Sequence, residues 1–349
     1  MRTRIKSRKS NTICVFLSGF TLVSLLLVRS FFFSIPMSSF TSTKSLKSKA
    51  EKKNDGFLDF FVMGFPKCGT TSMMNLFDQV TNETVMIFPS TGWEYSFKGE
   101  DQAKTLVDEI KETSKKYNKT KKFGIKWPTA LVHPSVIRDL INVDEKHKET
   151  KLIIGLRHPV KWFESFYNFR LRKHDMPPAN TLIGGSDVKG HNDCYTGLAQ
   201  YEIYFMQFGK VDLTAHELGM MHNNKPAMTM LSTPNKIFLY MVEQFKDENL
   251  TRTDNFFSDL VSFMDLEETI TSDIMPKRNI NNKKPWNICD DANKKVREVL
   301  VQNGIVTANW FQTRLSKEID DVTIGGRDFF FTLLETWKED PCTLPSPQL

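Results

Sequence analysis

Short apolar runs alternate with longer stretches of helical periodicity along most of the chain after residue 56. The apolar runs predict four buried strands, at Phe57–Phe65, Lys122–Lys126, Lys151–Leu156 and Lys236–Phe245. The periodic stretches predict helices at Thr71–Val80, at Val160–Lys173 and after a cap at Asp254. Strands separated by helices are typical of an α/β fold, in which helices cover both faces of a parallel sheet.

Two further segments complete the predicted domain. Met176–Asn192 is rich in glycine, proline and asparagine, which predicts a long loop. Near the end of the chain, DDANKKVREVLVQNG has a capping aspartate, Asp290 or Asp291, and a glycine stop at Gly304. It predicts a surface helix that ends at that glycine.

The first residues have the pattern of a membrane-targeting segment. Five basic residues precede an uncharged run from Asn11 to Val28, which spans roughly 27 Å as a helix and so fits a thin bilayer. We therefore predict a cytoplasmic tail at 1–10, a type II transmembrane signal-anchor at 11–29, a solvated stem at 30–56 and a luminal domain at 57–349. A cleaved signal peptide and a transit peptide are the alternatives.

Charge and cysteine content exclude two classes of function. The first 53 residues hold eleven basic residues and one acid, whereas residues 54–349 have an excess of four acids, so the net charge of +6 comes from the N-terminal segment. A slightly acidic domain argues against a nucleic-acid partner. The sequence contains no metal-ligand spacing, so we expect no metal cofactor. Sequons predict glycan acceptors in a lumen at Asn82, Asn118 and Asn249.

The cysteines beyond the anchor favour one disulfide. Cys289 and Cys342 flank late helical segments, so we predict that they pair. Cys194, in the long loop, is the alternative partner. Cys68 should remain a free thiol, because it lies in the anion loop described next.

The segment FFVMGFPKCGTTSMMNLF, from Phe60 to Phe77, joins the first predicted strand to the first predicted helix. Its glycine lets main-chain N–H groups approach an anion, and the helix N-terminus, a lysine and three hydroxyls add donors. In a Walker loop the lysine follows the last glycine, whereas here it precedes Gly69. The segment predicts a P-loop-like anion site of non-Walker order, although a plain turn with a capping threonine is the alternative. The candidate binding residues are Lys67, Cys68, Gly69, Thr70, Thr71 and Ser72.

A second segment, LRHPVKWFESFYNF, places Arg157 at a strand end and Ser165 eight residues later on a helix. Helical periodicity turns Ser165 back toward the strand end, so the guanidinium and the hydroxyl can converge on one phosphate. Tyr167 follows two residues later. This edge, at the carboxyl ends of parallel strands, is where such folds bind ligands.

Together the two segments resemble the nucleotide motifs of the sulfotransferase family. The first is similar to its 5′-phosphosulfate loop, PKxGTT, and the second to its 3′-phosphate motif. GIKWP, at Gly124–Pro128, is similar to a Lys-x-Pro segment of the Golgi carbohydrate enzymes, and KIFLYMVEQFKDE to a strand–Glu–helix segment that closes the nucleotide site. The resemblance implies the co-substrate 3′-phosphoadenosine 5′-phosphosulfate, held by the loop, Arg157 and Ser165, with no metal.

The resemblance also implies catalytic roles. Lys67 would neutralise the leaving bridging oxygen, and Lys126 would assist at the 5′ end or at the acceptor. The Golgi enzymes use a glutamate as base; TGWEYSF offers Glu94, with Trp93 in place of the family's lysine and with Tyr95 and Phe97 expected to desolvate it. His133 is the rival, since the cytosolic branch uses a histidine, and a residue not yet identified is the third possibility.

The expected function is therefore sulfuryl transfer to a hydroxyl or amino group of a carbohydrate acceptor, by a single-pass type II protein of the Golgi membrane. A tyrosine or lipid acceptor, a kinase, and a non-catalytic nucleotide- or glycan-binding protein on the same fold are the alternatives. The sequence identifies neither the acceptor nor the oligomeric state.

Overall fold

The fold is described from a computed structural model, which covers residues 57–79, 81–89, 94–95, 99–117, 121–130, 135–172, 178–182, 234–271, 286–316 and 319–343. The predicted anchor, the stem, His133, Cys194 and most of the predicted long loop lie outside these residues. Among the helices within them, none has the length and apolar character needed to cross a bilayer.

The described residues form one parallel sheet of six strands, in the order β2-β3-β1-β4-β5-β6. Every neighbouring pair runs parallel, as the alternation of strands and helices predicts. The strands are β1 Phe60–Gly64, β2 Thr84–Met86, β3 Lys122–Trp127, β4 Lys151–Leu156, β5 Ile237–Met241 and β6 Val322–Ile324.

Helices cover both faces of the sheet. They are α1 Thr70–Gln79, α2 Glu100–Ser114, α3 Val136–Val143, α4 Pro159–Leu171, α5 Ala179–Leu182, α6 Leu250–Met264, α7 Lys294–Leu315 and α8 Arg327–Thr336. The strand side chains alternate between the two faces, so Phe61 and Met63 pack with α2, α4, α7 and α8, whereas Phe60 and Val62 pack with α1 and α6. The predicted α/β fold with helices on both faces is thus confirmed for the described residues.

The segment predicted as a strand from Lys236 to Phe245 changes structure half-way. Only β5 is extended, and Val242–Lys246 forms a 3₁₀ turn, called the 242–246 turn below. The side chain of Gln244 causes the change, because its Oε1 accepts from the Met241 N–H at 2.7 Å. This bond folds the chain back at the end of β5.

Two helix boundaries also differ from those predicted. Helix α6 begins at Leu250, because the Asn249 side chain accepts from the Arg252 N–H at 3.1 Å; Asp254 lies inside the helix. Helix α7 continues past Gly304. A methyl group there would lie 2.4 Å from the Trp337 carbonyl oxygen, so the glycine allows close packing and does not end the helix.

The end of the chain is fastened to the segment before α7. The predicted disulfide between Cys289 and Cys342 is present, and Cys68 is a buried free thiol. Beside the disulfide, Arg297 donates to the Asp340 carboxylate at 2.7 Å and to the Ile288 carbonyl at 2.8 Å. A covalent and an ionic link therefore hold the same two segments together.

Candidate functional site

The candidate site lies at the carboxyl edge of the sheet, where β1 and β4 end side by side. The connection after β1 leads to the β3 side of the sheet, whereas the connection after β4 leads to the β5 side. Such a reversal opens a crevice outside the strand ends, and open α/β sheets bind ligands there. The predicted anion loop follows β1 and Arg157 follows β4, so both motifs border this crevice.

The loop after β1 is a tight turn with a strained backbone. Lys67 and Gly69 have φ values of 72° and 79°, in the left-handed region that side chains disfavour. At Gly69 a methyl group would also lie 2.9 Å from Val242 Cγ2, so both conformation and space require glycine. A lysine held at positive φ is a strain typical of ligand-binding loops.

The main chain of this turn presents amide groups to the crevice. Helix α1 begins at Thr70, and its first main-chain bond runs from the Met73 N–H to the Gly69 carbonyl at 3.0 Å. The amides of the first helical turn therefore have no partner within the helix and can bind an anion. The Cys68 N–H is directed elsewhere, since it donates to the Phe65 carbonyl at 3.2 Å.

Two side chains that the sequence did not identify as site residues hold the loop in place through hydrogen bonds to its carbonyl groups. The Tyr240 hydroxyl donates to the Cys68 carbonyl at 3.1 Å, and the Trp162 Nε1 donates to the Pro66 carbonyl at 2.8 Å. Gly155 leaves room for this packing, because a methyl group there would lie 2.2 Å from the Cys68 oxygen. All three lie on β4, β5 or α4, far from the loop in sequence, so no local pattern reveals them.

Lys67 reaches across the crevice toward α4. Its Nζ lies 4.9 Å from the centre of the Phe169 ring. Burial lowers the pKa of Lys67, and the neighbouring positive charges of Arg157 and Arg172 lower it further, while Cys68 and Glu94 oppose the change. Lys67 therefore lies close to two arginines, whose positive charges favour a bound anion.

Arg157 joins the two predicted motifs directly. Its Nη1 donates to the Lys67 carbonyl at 3.1 Å, so the arginine after β4 contacts the loop after β1. Ser165 lies on the partly exposed part of α4, and its hydroxyl forms no hydrogen bond with the described residues. The structure thus brings Arg157 to the anion loop, and Ser165 lies on the helix that follows Arg157.

Glu94 and Lys126, predicted from separate segments, form an ion pair. Lys126 Nζ lies 2.9 Å from Glu94 Oε1, and the lysine side chain is 5% exposed whereas the glutamate is 49% exposed. The same Nζ donates to the Thr71 hydroxyl at 3.2 Å. The buried lysine therefore links the partly exposed carboxylate to the first turn of α1.

The aromatic surroundings expected for Glu94 are only partly described. The Tyr95 ring packs in the core, and its hydroxyl donates to Glu109 Oε2 at 2.7 Å. It does not desolvate Glu94, which is half-exposed; Trp93 and Phe97 lie outside the described residues. Among the described residues, the ion pair with Lys126 holds this carboxylate.

His158, next to Arg157, ties the site to the end of the chain. Its Nδ1 accepts from the Val160 N–H at 3.2 Å at the start of α4, so the proton is on Nε2, which donates to the Thr336 carbonyl at 3.1 Å. Burial lowers the pKa of His158 from its ordinary value of 6.5 to about 4. The ring is therefore neutral in the folded protein under physiological conditions.

We expect this histidine to make the fold sensitive to acid. Below its ordinary pKa the unfolded chain binds a proton that the folded chain excludes, so the free energy of unfolding falls as pH decreases. Between pH 7 and pH 5 the loss from His158 should be about 2 kcal/mol. Urea denaturation of the wild type and of His158→Asn, which can still cap α4, measures it. Equal pH slopes in both would contradict the prediction; the buried His147, whose pKa is also lowered, contributes to both equally.

Comparisons with known proteins add little to this geometry. No family profile matches the sequence, and no curated protein does. The solved structures that are similar to it include two sulfotransferases. A sulfotransferase from Alicyclobacillus acidocaldarius is 13% identical with a TM-score of 0.41, covering 75% of this chain and 96% of its own. Mouse sulfotransferase SULT7A1 complexed with PAP is 12% identical with a TM-score of 0.29, covering 68% of this chain and 76% of its own.

Among the described residues, no group of three or more histidine, cysteine or acidic side chains could hold a metal ion. The groups that the site does offer are cations, main-chain amides and hydroxyls. These are ligands for anions. One half-site is the loop after β1, the other is the segment after β4 that begins with Arg157, and Arg157 contacts the loop.

Proposed function

We propose that this protein transfers a sulfuryl group from 3′-phosphoadenosine 5′-phosphosulfate to a hydroxyl or amino group of a carbohydrate acceptor. The observation that carries the proposal is the contact between Arg157 and the Lys67 carbonyl. It brings a loop suited to one phosphate-type group beside an arginine suited to a second, and the donor carries phosphate groups at both ends of its ribose. The resemblance of both motifs to those of sulfotransferases supports the same donor.

Each half-site has groups for one end of the donor. The amides of the first turn of α1, with Lys67, would hold the 5′-phosphosulfate. Arg157 and the Ser165 hydroxyl would hold the 3′-phosphate, which distinguishes this donor from ATP. A lysine that is partly desolvated, as Lys67 is, interacts more strongly with the anion than one in water.

The proposed reaction is an in-line displacement at sulfur. The acceptor oxygen forms a bond to sulfur while the bond from sulfur to the bridging oxygen breaks, and 3′-phosphoadenosine 5′-phosphate leaves with the electron pair. Lys67 neutralises the charge that develops on the leaving oxygen. Glu94 takes the proton of the acceptor hydroxyl, and Lys126 holds that carboxylate near the loop.

The acceptor class follows from the base. Glu94 is half-exposed, so an acceptor can reach it. A glutamate base is also the choice of the carbohydrate enzymes that TGWEYSF and GIKWP resemble. The predicted signal-anchor supports a Golgi membrane location with a luminal catalytic domain. A tyrosine or lipid acceptor would require the same chemistry from the same residues.

Nucleotide protection tests the donor first. At concentrations of about one hundred times Kd, a ligand of the folded state stabilises it by roughly 2.7 kcal/mol, which is easily seen as a rise in Tm. We expect 3′-phosphoadenosine 5′-phosphate to raise Tm and ATP to leave it unchanged. Stabilisation by ATP alone would indicate a kinase, and stabilisation by neither would indicate a non-catalytic protein.

Sulfate transfer tests the acceptor. Radiolabelled donor is offered with a panel of glycans, tyrosine peptides and lipids, and label should appear only in glycans. Transfer to peptides or lipids would retain the reaction and replace the acceptor class. The matched control is Lys67→Ala, which should label nothing in any panel.

A further inference from the structure

The 242–246 turn contacts both nucleotide motifs at once. Val242 and Phe245 close over the anion loop, since a methyl group at Gly69 would lie 2.9 Å from Val242 Cγ2 and 3.1 Å from Phe245 Cε2. Glu243, between them, faces the other motif, where its carboxyl interacts with the charge of Arg157 and with the main-chain N–H of His158. One turn of five residues therefore borders both half-sites.

This turn is held rigidly from the side away from the site. The Gln244 Oε1 accepts from the Met241 N–H at 2.7 Å, and its Nε2 donates to the Gly325 carbonyl, also at 2.7 Å. Gln244 is buried, so both bonds are shielded from water. A turn fixed in this way gives the Glu243 side chain a defined origin and direction.

The carboxyl group of Glu243 is enclosed. Its Oε2 is out of contact with solvent and has no hydrogen-bond partner among the described residues. Burial raises the pKa of this carboxyl, and Arg157 is the strongest opposing influence. An enclosed carboxylate is costly unless cations compensate it; Arg157 does so most strongly, and Lys246 contributes less.

We propose that Glu243 is a positioning residue that orients the Arg157 guanidinium toward the 3′-phosphate of the donor. The inference rests on the proposed function. A free arginine side chain has many rotamers, and fixing it before binding removes that entropic cost from the binding step. The Lys67 carbonyl accepts from Nη1 at 3.1 Å, and the charge of the Glu243 carboxyl acts on the same guanidinium, so both groups limit the rotamers of Arg157.

A purely structural ion pair would have a different signature. Loss of such a pair would lower the stability of the fold and would weaken the binding of all nucleotides to the same extent. Loss of a residue that positions Arg157 weakens the binding of only those nucleotides that carry a 3′-phosphate. The ratio of the Kd of adenosine 5′-phosphate to that of 3′-phosphoadenosine 5′-phosphate therefore separates the two roles.

Calorimetry measures this ratio in the full chain. We expect Glu243→Ala to lower it about tenfold, and Glu243→Gln, which keeps an acceptor oxygen but no charge, to give an intermediate value. The matched control is Glu248→Gln, five residues along the chain, where the side chain is exposed and the ratio should not change. Tm values of all variants are recorded in parallel.

The outcomes are distinct. An unchanged ratio in Glu243→Ala, with the wild type selective for the 3′-phosphate, overturns the positioning role and leaves the proposed function intact. If Glu243→Ala does not fold, the ratio in Glu243→Gln decides in the same way. A wild type that binds neither nucleotide overturns the proposed function, and this role with it.

Discussion

Replacing Glu94 with glutamine should lower turnover by roughly 10² to 10⁴, the usual contribution of a positioned general base. The amide cannot take the acceptor proton, but its oxygen can still accept from Lys126, so the buried lysine keeps a partner. Affinity for the donor should be unchanged, because in the proposed mechanism the Glu94 carboxylate acts on the acceptor and not on the nucleotide. Steady-state sulfate transfer and calorimetry with 3′-phosphoadenosine 5′-phosphate measure the two quantities separately.

The control for this variant is Glu112→Gln. Glu112 is also a glutamate paired with a lysine, Lys115, but it is exposed on α2 and distant in the chain from both motifs. Its turnover should be that of the wild type. If Glu94→Gln retains near-normal turnover, the role of base passes to His133 or to a residue not yet identified.

Replacing Arg157 with alanine should abolish most activity, because the donor will bind more weakly. Charge-assisted bonds of an arginine to phosphate contribute about 1.5 to 3 kcal/mol each, so loss of two predicts a Kd at least 100-fold higher. The fold should survive. Alanine removes the main cation that compensates the enclosed Glu243 carboxyl, but that carboxyl, whose pKa burial already raises, can bind a proton and become neutral.

Two variants make the Arg157 result specific. Arg157→Lys keeps the charge but not the planar fork, and should recover only part of the affinity. Arg138→Ala removes an exposed arginine of α3 and should change neither affinity nor turnover. Unchanged affinity of Arg157→Ala in calorimetry would remove Arg157 from the donor site.

The parts of the fold that sequence predicts are those with a local signal. The loop from Phe60 to Phe77 combines a buried strand, a glycine turn and a helix start, and each is visible within a few residues. Strands β2 and β6 have three residues each, too few for a periodic pattern. Gln244 folds the chain back through the Met241 N–H, but its side chain is held in place by the Gly325 carbonyl, 81 residues away, so the turn after β5 depends on tertiary structure.

In the candidate site, too, the residue types can be predicted from local sequence, whereas the contacts between them cannot. The residue types in the two motifs predict an anion site, and the structure brings Lys67, Arg157, Glu94 and Lys126 to one crevice. Their connections are not visible in the sequence. The link from Lys126 to Thr71 spans 55 residues, and Glu243 faces Arg157 only because β4 and β5 are neighbours in the sheet.

The disulfide between Cys289 and Cys342 determines how the protein must be made. The two cysteines are separated by 53 residues, and in the chain-entropy model closing such a loop stabilises the fold by about 4 kcal/mol. The total free energy of unfolding of a typical domain is only about 5 to 15 kcal/mol. Expression in a reducing cytosol would therefore yield a chain that unfolds and aggregates readily, whereas secretion with a disulfide isomerase should give soluble protein in which Cys68 forms no disulfide.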